Sequence, residues 1–183
     1  MFRSFVLTAI LAATALALPA PHAAAQSSAR EIDMRVNETL DRFFYKIGGA
    51  RELANKSVGL LVFPSVVKAG FGVGGEYGEG ALLVRGETVG YYNTVSASIG
   101  FQLGVQERSV IIAFMTPQAL DQFRRTAGWK IGADASVAII TVGVGGSIDT
   151  NKITSPVVGF ILDPKGLMYN LTLEGSKISR INP

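Results

Sequence analysis

From Thr94 to Val105 the chain alternates without a break. Val95, Ala97, Ile99, Phe101, Leu103 and Val105 are interleaved with Thr94, Ser96, Ser98, Gly100, Gln102 and Gly104. A period of two sends the two classes to opposite faces of an extended strand, so twelve residues of it predict one long, half-buried strand. The strand lies inside Thr88 to Gln106, 19 positions without a charge and long enough to span a membrane. Asn93, Ser96, Ser98, Gln102 and the interspersed glycines argue against a membrane helix. A small outer-membrane barrel is the alternative that the alternation leaves open, with Tyr91 and Tyr92 near a strand end. The helix expected after Thr116 would interrupt the regular succession of strands such a barrel needs.

The 21 glycines sharpen the shape. All lie after residue 25 and make up about 13% of that part, against about 7% in an average protein. Gly70, Gly72 and Gly74, and again Gly143 and Gly145, are spaced by two. Each set falls on one face of its strand, where a missing side chain lets the sheet bend or another backbone approach. Further strands are predicted over Val58 to Phe63, Glu79 to Val84, Thr88 to Tyr92, Val110 to Met115 and Ala135 to Val144. Arg85-Gly86-Glu87 reads as a hairpin loop and Gln106 to Ser109 as a turn. Val157 to Leu162 and Leu167 to Leu173 flank Asp163-Pro164-Lys165-Gly166, which suits a type I turn.

Two helices carry clear signals. Ile32, Val36, Leu40, Phe43 and Ile47 form an amphipathic stripe over Ser28 to Ile47, ended by Gly48-Gly49. Thr116-Pro117 supplies a cap and a first-turn proline for a second helix, with Leu120, Phe123 and Ala127 on one face and Gly128 as terminator. A short turn of helix is expected over Ala50 to Lys56. The fold class is α+β: a strongly curved, Gly-rich, mainly antiparallel sheet or small barrel with an N-terminal amphipathic helix and one inserted helix.

Residues 1–25 have the form of a removable signal peptide, with Arg3 as a basic start, Phe5 to Leu18 as the apolar run and Ala23-Ala24-Ala25 as the cleavage site. Residues 26–183 are then one domain, exported to a periplasmic or extracellular compartment. Removal of the leader leaves 158 residues with no His and no Cys, 16 Lys+Arg and 14 Asp+Glu. Without imidazole or thiolate there is no His or Cys metal site, haem ligation, Cys nucleophile, disulfide or Ser-His-Asp relay. No cofactor is expected. The acidic residues interleaved with Arg30, Arg35, Arg42 and Lys46 deny the one-sided basic field of a nucleic-acid binder, so no nucleic-acid partner is expected.

Three motifs were tested against their contexts. Gly70-Phe71-Gly72-Val73-Gly74-Gly75 satisfies G-x-G-x-x-G, but more glycines and a strand follow where a dinucleotide site needs a helix. Ser65-Val66-Val67-Lys68 matches the S-x-x-K of acyl-transfer enzymes, yet Pro64 and two valines oppose the helix it needs and its partner motifs are missing. The pairs Glu76 with Glu79 and Asp134 with Asp149 have the spacing of solvated loop charges. No catalytic residue is therefore assigned.

The run Gly59-Leu60-Leu61-Val62-Phe63-Pro64-Ser65-Val66-Val67-Lys68-Ala69-Gly70-Phe71-Gly72-Val73-Gly74-Gly75, then Tyr77-Gly78-Glu79-Gly80, resembles the opening signature of the SYLF domain. This is the lipid-binding module also found in fungal actin-patch proteins, where it binds actin. Tyr91-Tyr92-Asn93, Ser98 to Gly104 and Gly166 to Leu171 are similar to its exported bacterial members, and the likeness spans about residues 31 to 181. The resemblance implies a non-enzymatic module that binds acidic phospholipids, with phosphoinositides as the ligands of eukaryotic members. It implies membrane contact by the N-terminal helix, for which Arg35, Arg42 and Lys46 are the head-group candidates and Phe43 and Phe44 the insertion or packing residues. Lys68 is the lysine of the signature. Membrane lipids are the expected partner and an envelope protein the alternative; actin is not expected for an exported chain.

Overall fold

Two very long strands organise the molecule. β1, Gly59–Val84, and β2, Glu87–Phe114, pair antiparallel along their whole length. They replace the five shorter strands expected over this stretch. Arg85 and Gly86 join them with φ of 54° and 83°, the two left-handed residues that a tight hairpin turn needs. The computed structural model of the chain describes residues 27–141, 146–165 and 173–183, the side chains at 71–73, 98–103 and 141 excepted. The expected leader, Gly143 and Gly145, and the strand predicted over Leu167 to Leu173 lie outside the described residues or at their edge.

The hairpin does not run straight. Eighteen residues of extended strand span about 60 Å, yet a Cβ on Gly80 would lie 2.0 Å from the Val62 carbonyl oxygen, and one on Gly78 would lie 2.8 Å from that of Ser65. β1 therefore doubles back on itself, and glycine is required where its two halves meet. The fold-back coincides with an irregular register, in which Phe71 pairs with Leu103 but Val73 with Ile99. Pro64 is accommodated at a second irregularity, where Pro64 and Ser65 together oppose Ser109, whose hydroxyl donates to the Pro64 carbonyl at 2.7 Å.

Each half of β2 recruits further strands. Tyr91 to Val95 pair with β6, Lys177–Ile181, which in turn pairs with β3, Trp129–Lys130. Residues 107–114 pair with β5, Val157–Lys165, and β4, Ala138–Thr141, lies parallel to β5. Among the described residues the result is a six-stranded, mainly antiparallel sheet curled into a half-barrel. β5 runs through the expected Asp163-Pro164-Lys165 turn. Asp163 and Pro164 together oppose Arg108 between the pairs Ser109–Leu162 and Glu107–Lys165, one residue more than the partner strand has. Asp163, at φ 47°, takes the left-handed position that such a bulge demands and that Asp tolerates.

Both faces of the sheet are covered near the hairpin turn. On the outer face α1, Ala29–Lys46, packs its predicted stripe on Leu60, Val62, Ala81, Leu83, Ile111 and Phe160. Ser28 caps it by accepting from the Glu31 amide at 3.3 Å. α2, Ala50–Lys56, follows. On the concave face α3, Pro117–Arg125, sits beneath its Thr116 cap and ends before the expected Gly128. Phe123 lies 4.9 Å from Tyr92, 5.0 Å from Phe114 and 5.3 Å from the single tryptophan, Trp129, between ring centroids.

Candidate functional site

The outer helix is pinned to the sheet at three places. Its first residues are held where the Ser27 amide donates to Glu79 Oε2 at 3.1 Å. In its second turn, the hydroxyls of Thr88 and Tyr91 both donate to Asp33 at 2.9 Å. At its end, Lys46 Nζ donates to both oxygens of Asp163 at 3.1 and 3.2 Å. Phe43 is 1% exposed and its ring is 5.5 Å from that of Phe160. Phe44 is half-buried under the Arg51 guanidinium, 4.8 Å from its centroid. Both phenylalanines thus pack in this structure, and Tyr45 is the aromatic that faces solvent, at 92% exposure.

The polar side of α1 forms one wall of a groove of 840 Å³. Four basic side chains line it, Arg35, Arg42, Lys46 and Lys165, against three carboxylates, Glu38, Glu107 and Asp163. The structure thus brings together three of the sequence-derived candidates. Asp163 organises two of them, because Arg42 Nε stands 3.8 Å away and Lys46 is bonded directly. Arg42 also donates to Thr39 Oγ1 at 3.1 Å, and Arg35 is paired with Glu31 at 2.6 Å on the helix surface. Nothing in the sequence marks Lys165, because Asp163-Pro164-Lys165-Gly166 has the pattern of a turn.

Lys68 does not join this group. It is buried on the concave face with Glu76, Gln106 and Arg108. Arg108 donates to Glu76 Oε1 at 2.7 Å and its side chain is 1% exposed. Burial pushes the Glu76 carboxyl above its ordinary value, against the pull of Arg108 and Lys68. Glu76 is therefore not a solvated loop charge, and Gln106 to Ser109 are not a turn. The polarity of Gln106 and Arg108 marks an enclosed cluster inside the curl.

The remaining motifs resolve as strand. Ser65 Oγ donates to Glu107 at 2.7 Å while Lys68 faces Glu76, so the S-x-x-K residues form no nucleophile pair. The glycine motif at 70–75 lies within β1 and no helix follows it. Among the described residues no cluster of three or more Asp or Glu could hold a metal ion. Among the described residues no helix is long and apolar enough to cross a membrane. Beside Glu79, the Tyr77 hydroxyl is pushed up to about 12, by desolvation first and then by the carboxylate it donates to at 2.6 Å.

Residues 95–182, from the middle of β2 through β6, match the model of the Ysc84 family, described as Las17-binding protein actin regulator. Over these residues, just under half of the chain, the sequence is similar to that family. The Ysc84 match is the SYLF-type family the sequence resembles, and its description names a binding partner and a regulatory role. The matched residues include Asp163 and Lys165 of the groove, whereas α1 and the block at 59–80 precede them. No curated protein matches the chain.

Proposed function

We propose that the chain is a non-enzymatic module that binds acidic phospholipids at a membrane surface, on the envelope side if residues 1–25 direct export. The observation that carries this reading is the groove beside α1, where Arg35, Arg42, Lys46 and Lys165 converge on a space large enough for a phosphorylated headgroup. Guanidinium groups fit phosphate oxygens in pairs, and ammonium groups supply point charge. Because α1 is fastened to the sheet at three points, these cations are presented by a fixed wall. The burial of Phe43 assigns the apolar stripe of α1 to packing, so head-group contact falls to its polar side.

The similarity of residues 95–182 to a binding family supports a binding role, and the exported compartment supplies lipid as the surface at hand. Co-sedimentation of the full chain with phosphatidylcholine vesicles, with and without phosphatidylglycerol, tests the reading. Pelleting that requires the anionic lipid and weakens with salt is expected. Absence of lipid-dependent pelleting at low salt overturns it.

A further inference from the structure

At the folded-back end of the hairpin the polarity of the sheet is inverted. Val105 is 63% exposed, Val95 and Tyr77 are each 45% exposed and Val67 is 40% exposed, with Ala69 and Ala97 exposed beside them. Val67, Ala69, Tyr77 and Val95 line one groove, and Val105 is the cross-strand partner of Ala69. The alternate positions, Lys68, Glu76, Thr94, Gln106 and Arg108, are buried on the concave side. A strand in water turns its apolar residues inward and its charges outward. Here the charges of β1 between Pro64 and Gly78 point in, and β2 carries none from Thr88 to Gln106. Apolar outside with polar inside is the arrangement of a sheet that meets hydrocarbon.

The face begins where α1 stops. Ser27, Arg35 and Ile32 border a groove of 550 Å³ whose other walls include Val67, Ala69, Tyr77 and Val95. Arg35, Pro64 and Ser65 also line the cationic groove, so the two surfaces are contiguous. A cation at that seam stands where headgroups would lie if the apolar face entered the acyl region.

We propose that the folded-back end of the β1–β2 hairpin is a shallow insertion surface that enters the bilayer while the adjoining groove holds headgroups; the choice of lipid as occupant rests on the function proposed above. Immersion is of the order of 5–10 Å, as for other interfacial elements. The chain has no cysteine, so Val105→Cys gives a unique site for a nitrobenzoxadiazole fluorophore, with Tyr45→Cys on the outer side of α1 as the reference. On phosphatidylglycerol–phosphatidylcholine vesicles containing doxyl-labelled lipid, the probe at 105 is expected to shift to the blue and be quenched, and the probe at 45 to do neither. Val95→Asp with Val105→Asp is expected to lower vesicle partitioning roughly tenfold or more while Trp129 emission stays unchanged. Vesicle binding without quenching at 105 overturns the insertion and leaves the headgroup reading standing; no vesicle binding overturns both. A blue shift without lipid that depends on residues 1–26, or that grows with protein concentration, assigns the face to the chain's own N-terminal segment or to a second copy, and also overturns the insertion.

Discussion

Enclosing a carboxylate costs free energy that its partners must return, and Glu76 stands among Arg108 and Lys68 for that reason. Arg108→Met leaves the carboxylate with its nearest partner gone and is expected to cost about 3–5 kcal/mol of folding stability. Replacing Lys68, Glu76 and Arg108 together by apolar residues of similar volume is expected to restore most of that loss, as read by urea unfolding through Trp129. A triple variant no more stable than Arg108→Met would mean that the cluster contributes more than mutual compensation. The raised carboxyl of Glu76 also sets a pH dependence. The folded chain keeps this proton above 4.5, where the unfolded glutamate releases it. Its contribution to stability is therefore present below about 4.5 and lost as pH rises through the window up to the folded value. Relative to Glu76→Gln, the native chain should lose stability across that window; a constant difference would contradict the burial argument.

At the scale of elements, the helices were legible because local signals agreed with the tertiary result. Ser28, Thr116 and Pro117 act as caps and starts, and the Ile32 to Ile47 stripe is the buried one. The strands were legible in position but not in connection. Pro64 and Asp163-Pro164 look like stops, yet bulges absorb them, and a bulge depends on the partner strand rather than on neighbouring residues. Polarity misled at Gln106 to Ser109 because side chains destined for an enclosed charge cluster look, one strand at a time, like loop residues. β6 went unread for a related reason: Lys177 to Ile181 is short, and only Ile178 is buried. The close approaches that require glycine fall at Gly78 and Gly80, where β1 meets itself. Gly80→Ala must push aside the Val62 carbonyl and is expected to cost 1–3 kcal/mol or more. Gly75→Ala, whose Cβ would meet only the Ser96 carbonyl at 4.0 Å, is expected to be nearly neutral. Equal losses in thermal unfolding would remove the close-approach explanation.

For the whole molecule, the groove assembles from parts that the sequence keeps far apart: Arg35, Arg42 and Lys46 on α1, Ser65 on β1, and Asp163 and Lys165 on β5. The helix cations could be named from the sequence and the family resemblance. Asp163 and Lys165 could not, because their role follows from a bulge that turns β5 toward the end of α1. Asp163 now reads as the brake on the groove, holding Lys46 and standing beside Arg42. This gives a test with opposite signs at one site. Asp163→Asn keeps a residue suited to the left-handed backbone and removes one negative charge; Arg35→Glu with Arg42→Glu removes two positive charges and adds two negative ones. The measurement is the partition coefficient of each variant on phosphatidylglycerol-containing vesicles at low salt. The predicted result is tighter binding for Asp163→Asn, by about fivefold for one charge near the surface, and near loss of binding for the double reversal. Partition coefficients unchanged in both variants would contradict a headgroup site in this groove.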